Sequence, residues 1–302
     1  MARAVPLPVR DGLGPARLRL QGGNVADEFG RRFGSEAKAK VLSGEVVRAD
    51  GAVVDESTVL PAGAFVYHYR DLPDEVEVPF DIPVLHRDEN FVVVDKPHFL
   101  ATMPRGSHVA QTALVRLRRE LDLPDLSPAH RLDRLTAGVL VFTARREVRC
   151  AYQTLFADGR VSKTYLARSS VHPGLPAPRV VSNRIIKRRG CLQAEVVDGT
   201  PNAETLVEPL GDGCYRLTPA TGRTHQLRVH MAGLGLPIDH DPLYPCVVEV
   251  EPGDFSRPLG LIAHRIEFYD PLTGDHRSFV SSRVLSPVPD GCNRSADSGR
   301  SR

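Results

Sequence analysis

A single carboxylate lies among basic residues in the polar segment 128–138. Asp133 is flanked by His130, Arg131 and Arg134, so positive charges are expected close to its carboxylate. Such neighbours keep a carboxylate ionised, and an ionised aspartate can act as a nucleophile or as a base. The alternative is that Asp133 caps a turn and pairs with an arginine at the protein surface.

A second polar segment, residues 218–231, carries positive charges that could hold such a carboxylate. Thr221 and Gly222 predict a turn, and Thr224 is the expected N-cap of the helix that follows. Four basic side chains then fall in the first two turns of the predicted helix: Arg223, His225, Arg228 and His230. A helix N-terminus with adjacent arginines is a natural anion site, and a solvated basic helix start is the alternative.

Both segments lie between elements that could position them. A helix predicted over 110–121 and an apolar strand at 139–142 enclose the aspartate segment, and a strand at 215–218 precedes the basic one. The other patterns predict a helix at 147–156 and strands at 91–95, 163–168, 203–210, 261–269 and 276–280. Because strands outnumber helices and cluster locally, we expect an α+β domain with a central, mostly antiparallel mixed sheet flanked by helices.

The N-terminal part of the chain has a different pattern. A helix predicted over 25–43 and a hairpin around Asp50 and Gly51 indicate a small module, which an acidic, proline-containing linker follows. The sequence therefore predicts four parts: a flexible N-terminus at 1–22, the small module at 23–72, the main domain at 73–285 and a disordered tail at 286–302.

Composition and charge exclude several classes of protein. The 302 residues are 41% hydrophobic and 25% charged, which excludes collagen-like, coiled-coil and wholly disordered chains. No apolar run is long enough for a membrane-spanning helix, and the N-terminus lacks a signal-peptide core. The formal net charge is +2, so a nucleic-acid surface would have to be a local patch. The five cysteines include no C-x-x-C pair, which favours reduced thiols over disulfides or a zinc finger.

Residues 130–138 resemble the catalytic signature of the RluA-type pseudouridine synthases. Other motifs of that family resemble this chain in the same order over about residues 82–282: the opening strand at 93–97, the tyrosine motif at 163–167, the arginine motif at 221–230 and the closing strand at 261–268. Several motifs in order are far more specific than one short match. The departures touch none of the aspartate, tyrosine and core arginine positions; they are at His98, Phe99, Ala137, His240 and Ile262.

The resemblance implies an enzyme that isomerises uridine in RNA to pseudouridine, by breaking the N-glycosidic bond and rejoining the base through C5. Asp133 would act as nucleophile or base. Arg228, or failing that Arg223, would pair with it, and Tyr165 would lie against the base. The target uridine must leave the base stack, and Arg131 would fill the vacated space. Further substrate contacts would come from His130, His225 and Leu261.

RNA must also be bound through its phosphates, and the densest basic run supplies Lys187, Arg188 and Arg189. The alternative for this run is a solvated hairpin face. Single-stranded or looped RNA is the expected partner because its bases are accessible, with ribosomal RNA before transfer RNA by family habit. No metal or other cofactor is required, since the leaving uracil is stabilised as an anion. We further expect a cytoplasmic monomer with no membrane partner, and the small module resembles an S4 RNA-binding domain.

Three other functions compete on the residues alone. A catalytically silent RNA-binding protein of the same fold would have a missing or substituted catalytic aspartate, whereas this chain retains Asp133. A hydrolase built on His130, His225 or His230 would need an activated serine or cysteine, and no G-x-S-x-G motif occurs. A glycosidase would need a second carboxylate, for which Asp239 and Asp241 are the candidates. Release of free uracil instead of isomerisation would distinguish a glycosidase.

Overall fold

The structure is a computed structural model, and it describes residues 6–72 and 74–285. The N-terminal part comprises β1 (Ala16–Arg19), β2 (Gly23–Asn24), α1 (Val25–Phe33), α2 (Ser35–Leu42), β3 (Val47–Arg48), β4 (Val59–Leu60) and β5 (Phe65–His68). Strand β5 pairs antiparallel with both β1 and β3. Buried apolar side chains of the two helices, including Phe29 and Val41, pack with Val66 of β5 to form a separate small core.

Two features of this part differ from the sequence-based expectation. The segment predicted to be flexible over 1–22 contains β1, because Ala16–Arg19 pairs along its whole length with β5. The single helix predicted over 25–43 is broken at Gly34, whose φ of +92° is a left-handed value that glycine adopts without strain. The predicted tail at 286–302 lies outside the described residues. The likeness to an S4 domain stays a prediction.

The larger part is built on one mixed sheet. Its elements are β6 (Val84–Arg87), β7 (Phe91–Lys96), α3 (Ala113–Glu120), β8 (Ser127–Pro128), β9 (Ala137–Thr143), α4 (Arg149–Ala157), β10 (Val161–Arg168), β11 (Arg179–Ile186), β12 (Glu195–Val197), β13 (Ala203–Gly211), β14 (Cys214–Pro219), α5 (Gln226–Gly233), β15 (Leu261–Tyr269) and β16 (His276–Val280). The strand order is β12-β11-β13-β14-β10-β15-β9-β7-β6, with β16 beside β15 and β8 beside β9.

Among the described residues, the strand pairs of this sheet are antiparallel except β9 with β15, which run parallel. The mostly antiparallel mixed sheet of an α+β domain is therefore confirmed. No helix in the described ranges is long and apolar enough to cross a membrane. The four cysteines within those ranges are unpaired: Cys150, Cys191, Cys214 and Cys246.

Helices cover both faces of the sheet around β7 and β9. Side chains alternate between the faces of a strand, so successive residues of β7 reach different cores. Val92 packs with Leu114 and Leu117 of α3, whereas Val93 packs with Tyr152 of α4. Burial on both faces explains why these strands are continuous apolar runs without polar alternation.

The parallel contact between β9 and β15 fixes where the Asp133 segment lies. Gly138 pairs with Ala263, and a Cβ on Gly138 would lie 2.2 Å from the Ala263 carbonyl oxygen. Gly138 also has a φ of +113°, so glycine is required at this position on two grounds. Because β10 pairs with the other edge of β15, this close approach brings the start of β9 near Tyr165.

Candidate active site

Eight of the predicted site residues line one open cleft of about 260 Å³. They come from four parts of the chain that are distant in sequence: the segment before β9, strand β10, the turn into α5 with the first residues of that helix, and strand β15. They are His130, Arg131, Asp133, Tyr165, Arg223, His225, Arg228 and Leu261.

Buried side chains hold the backbone of the Asp133 segment. The Thr102 hydroxyl donates to the Leu132 carbonyl at 2.8 Å and accepts from the Leu132 N–H at 3.1 Å. From β7, the buried Lys96 ammonium donates to the Arg134 carbonyl at 3.3 Å. The backbone is thus fixed on both sides of Asp133, whose own side chain remains 31% exposed in the cleft.

Arg228 lies between two carboxylates and is only 3% exposed. Its Nε and Nη2 donate to the Asp241 carboxylate at 2.7 and 2.5 Å, and the Asp241 side chain is fully buried. Its Nη1 lies 3.7 Å from Asp133 Oδ2. A two-point contact fixes the plane of a guanidinium, so Asp241 sets how Arg228 faces Asp133. Burial alone would lower the pKa of Arg228, but the hydrogen bond and charge of Asp241 raise it, which keeps the cation permanent.

His225 is the second basic side chain beside the aspartate. Its Nε2 is 3.9 Å from Asp133 Oδ2, and its Nδ1 is hydrogen-bonded to the Tyr244 hydroxyl at 3.0 Å. Burial lowers the pKa of His225 by more than the nearby Asp133 charge raises it. The ring is therefore neutral at physiological pH, and Arg228 is the charged partner of Asp133.

Tyr165 faces the cleft from β10. A bulge between Thr164 and Tyr165 interrupts the pairing with β15, and such bulges redirect side chains. Burial, with a smaller contribution from the Asp133 charge, raises the pKa of Tyr165, so the side chain is a neutral phenol at physiological pH. Leu261 and Phe156 add apolar surface to the cleft. A flat ring with polar edges would find apolar walls, a phenol and a carboxylate here.

His130 forms part of the wall of the cleft and is a neutral imidazole. Its Nε2 accepts the Val141 N–H at 3.2 Å, which places the ring proton on Nδ1. The ring stacks on Phe156 with centroids 4.2 Å apart. Burial lowers the pKa of His130 to about 3, with a smaller contribution from the charge of Lys163.

The turn that leads into α5 differs from the predicted capping. The helix begins at Gln226, and the residue before it, His225, has a φ of +59° and provides no side-chain cap. Thr224 is therefore not the N-cap. The Gln226 amide closes the turn instead, because its Oε1 accepts from the Thr221 hydroxyl at 2.8 Å and from the Arg223 N–H at 3.0 Å.

The two arginines of this segment have different surroundings. Arg223 lies in the turn, not in the helix, and its Nε donates to the Asn202 carbonyl at 3.0 Å. Within the described residues, the arginine that lies within ion-pair distance of Asp133 is Arg228. The structure thus distinguishes the first candidate partner of the aspartate from the second.

Three residues that supported rival functions are not part of the cleft lining. His230 is hydrogen-bonded to Thr205 and Asn183 at 2.9 and 3.0 Å, and burial lowers its pKa to about 4. Asp239 accepts from the backbone and hydroxyl of Ser170, and Asp241 is engaged by Arg228. Of the residues that line the cleft in the described ranges, Asp133 is the one carboxylate.

The basic run lies on the exposed loop after β11, outside the lining of the cleft. The Lys187 ammonium donates to the carbonyls of Cys191 and Leu192, and Arg188 pairs with Glu195 at 2.5 Å. After burial and the charge of Arg228, the charge of Lys187 also contributes to the lowered pKa of His225. The loop is therefore close enough to influence the rim of the cleft electrostatically.

Two further polar residues had no place in the predicted uridine reaction: Lys163, and Asp241, which was considered only as the second carboxylate of a glycosidase. Lys163 lines the cleft from β10, and the period of a strand could have indicated it because it lies two residues before Tyr165. Asp241 follows the arginine motif after a loop, and no periodic signal connects it with Arg228.

The chain is similar in sequence to several RNA pseudouridine synthases. A family model described as RNA pseudouridylate synthase matches residues 90–233. The dual-specificity RNA pseudouridine synthase RluA of Salmonella typhi is 33% identical over 208 residues, which cover 65% of this chain and 90% of that protein. RNA pseudouridine synthase 7 of Arabidopsis thaliana is 29% identical over 234 residues, covering 72% of this chain and 58% of that protein. Human pseudouridylate synthase RPUSD2 is 32% identical over 227 residues, covering 70% of this chain and 39% of that protein.

Solved structures give the same result for the fold. Human RNA pseudouridylate synthase domain containing 4 superposes with a TM-score of 0.50 at 26% identity, covering 69% of this chain and 89% of that one. The larger part of the molecule therefore has the pseudouridine synthase fold. The chain belongs to the RluA-type pseudouridine synthase family, which confirms the resemblance seen in its motifs. It spans 58% and 39% of the lengths of the Arabidopsis protein and human RPUSD2.

Proposed function

We propose that this chain isomerises specific uridines in RNA to pseudouridine. The observation that carries the proposal is the arrangement of the cleft, where Asp133 lies 3.7 Å from a buried, fixed Arg228 and shares the lining with Tyr165. Relatives of the chain are named RNA pseudouridine synthases, which supports the same reaction.

Asp133 begins the reaction at the sugar of the uridine. Its ionised oxygen acts near C1′ as a nucleophile or as a base, and the bond between C1′ and N1 breaks. The uracil leaves as an anion, turns, and forms a new bond between C5 and C1′. The proton lost from C5 is balanced by protonation of N1. No redox step and no added group are needed for this balance.

Arg228 acts on Asp133, and Tyr165 acts on the uracil base. Arg228 holds Asp133 ionised and directed toward the sugar, because its own guanidinium is fixed by Asp241. Tyr165 lies against the detached base as a neutral phenol, so it can donate a hydrogen bond and exchange protons while the base turns. His225 remains a neutral neighbour of the reacting carboxylate.

The RNA has to present the uridine outside a base stack. Arg131 is exposed beside Asp133 and is the residue we assign to the space that the uridine vacates. His130, Arg223 and Leu261 contact the nucleotide, while Lys187, Arg188 and Arg189 on the loop after β11 bind phosphates. We propose single-stranded or looped RNA as the substrate, ribosomal before transfer RNA, and a monomeric cytoplasmic enzyme.

Mapping pseudouridine in total RNA tests the function. Purified chain is incubated with unmodified RNA transcripts, and pseudouridines are mapped with and without the chain. We expect new pseudouridines at discrete positions with the wild type and none with Asp133→Asn. RNA that is bound but never converted would indicate a silent RNA-binding protein, and release of free uracil would indicate a glycosidase. Either result contradicts the proposal.

A further inference from the structure

Lys163 is a cation in the cleft lining that has no role in the proposed isomerisation. It lies on β10, two residues before Tyr165, and both side chains line the cleft. Across the ranges that the structure describes, the Lys163 ammonium forms no ion pair and no hydrogen bond, unlike the guanidinium groups of Arg228 and Arg223. Burying an unpaired ammonium is unfavourable, so we expect a ligand that pairs with it.

Two observations locate the Lys163 ammonium. A Cβ on Gly222 would lie 3.8 Å from Lys163 Nζ, so the ammonium lies against the turn that leads into α5. Its charge also contributes, after burial, to the lowered pKa of His130 in the Asp133 segment. The ammonium therefore lies between the two segments that flank the cleft.

Within residues 6–72 and 74–285, no acidic side chain compensates the positive charge of Lys163. Burial lowers the pKa of Lys163, and no acid in the described part of the chain offsets this. Asp133, the carboxylate of the cleft lining, is beside Arg228 instead. A partly buried cation without a counter-charge gains strongly when an anion enters and forms a charge-assisted hydrogen bond.

We propose that Lys163 binds a backbone phosphate of the RNA next to the turned-out uridine. The proposal rests on the proposed function, because it assumes an RNA strand in the cleft. Uracil edges offer neutral hydrogen-bonding groups, whereas a phosphate flanks each internal nucleotide on both sides and carries the anion that Lys163 lacks. Lys163 would thus hold the nucleotide by its backbone while Asp133 and Tyr165 act on the sugar and base.

The test compares two variants that each remove one positive charge, Lys163→Gln and Arg216→Gln. Arg216 is 47% exposed and pairs with Glu208 at 3.7 Å. It is paired in register with Leu166, the neighbour of Tyr165, so it lies on the opposite face of the sheet from Tyr165. Arg216→Gln is therefore the matched control outside the cleft.

Binding of a fluorescein-labelled RNA hairpin with a uridine-rich loop is measured by anisotropy over a range of salt concentrations. A lost phosphate contact should reduce the slope of log K against log salt by about 0.7 for single-stranded RNA. We expect this change for Lys163→Gln, the wild-type slope for Arg216→Gln, and restoration of the slope in Lys163→Arg. An unchanged slope in Lys163→Gln overturns the proposal.

Neutral methylphosphonates, placed one at a time in the loop, identify the phosphate. At one position the wild type should lose affinity while Lys163→Gln loses nothing further. If the loss of binding free energy from Lys163→Gln and that from the methylphosphonate add fully at every position in the loop, the proposal is overturned. Conversion of the same hairpin to pseudouridine is measured in parallel with the wild type. Absence of conversion counts against the proposed function. The phosphate contact is tested separately, by the affinities of the wild type and Lys163→Gln for native and methylphosphonate RNA.

Discussion

Two arginine–carboxylate pairs in this molecule have the same shortest distance and opposite surroundings. Arg228 and Asp241 are 2.5 Å apart, with side chains 3% and 0% exposed. Arg188 and Glu195 are also 2.5 Å apart, with side chains 63% and 50% exposed. Distance alone therefore does not distinguish the pair that orients Arg228 beside Asp133 from the pair on the exposed loop.

Burial decides what each pair can do. A buried pair in which one partner is removed leaves an uncompensated charge, at a cost of about 3–5 kcal/mol, whereas an exposed pair contributes about 0–1 kcal/mol. The buried pair holds Arg228 in one orientation in front of Asp133. In the proposed function, the exposed Arg188 exchanges Glu195 for a phosphate of the RNA. Chemistry in the cleft needs the first property, and binding of a flexible strand needs the second.

The largest effect is expected from Asp133→Asn, which keeps the shape of the cleft and removes the anion that we propose as the reacting group. We expect single-turnover formation of pseudouridine to fall by on the order of 10⁴-fold or more, as for other groups that react directly. RNA affinity should be retained, because the basic residues are untouched. Turnover near the wild-type rate would remove the proposed mechanism.

Asp241→Asn tests the buried pair without touching the reacting groups. Misplacing a catalytic group by about 1 Å can cost on the order of 10²-fold in rate, so we expect a loss of that size in kcat with KM nearly unchanged. The free energy of unfolding should also fall by about 3–5 kcal/mol, as measured by urea denaturation. A variant that is destabilised but retains the wild-type kcat would show that Asp241 is merely structural.

Gly138→Ala compares buried and exposed positions for the backbone, as the two ion pairs do for side chains. The added Cβ would lie 2.2 Å from the Ala263 carbonyl oxygen, at a φ of +113°. We expect the free energy of unfolding to fall by about 3 kcal/mol or more, from strain and overpacking together. Gly190→Ala, on the basic loop with open space around its Cβ, is the control and should cost only the smaller conformational strain. Equal losses in both would contradict the close approach of β9 and β15.

The smallest effect on chemistry is expected from the exposed loop. Replacing Lys187, Arg188 and Arg189 by glutamine should weaken RNA binding and reduce the salt slope by about 2, since each phosphate contact contributes about 0.7. The single-turnover rate at saturating RNA should stay at the wild-type value. A wild-type salt slope would show that these residues form a solvated hairpin face.

Seven of the eleven strands of the large sheet were predicted from the sequence, because buried strands appear as apolar or alternating runs. Strands β6, β8, β11 and β12 were not predicted, because they are short or mostly exposed. The runs at β7, β9 and β15 are mostly apolar or alternating, although β7 ends in Asp95 and Lys96, and the motif residues are contiguous in the chain. The break at Gly34 and the closure of the α5 turn by Gln226 were not predicted, because both depend on one residue's conformation or on a side-chain contact across a turn. The contact of Asp241 with Arg228 was not predicted for a related reason: it depends on how the loop after α5 folds back on the helix. Lys163, in contrast, could have been found from its spacing of two residues from Tyr165 in a strand.

The most direct test of the central claim follows the hydrogen atom at C5 of the target uridine. In RNA labelled with tritium at C5, joining the base to the sugar through C5 must release tritium to water as pseudouridine forms. We expect the wild-type chain to release tritium and form pseudouridine in equal amounts, with no free uracil. Free uracil that retains its tritium would contradict the account, because the cleft would then break the glycosidic bond without remaking it.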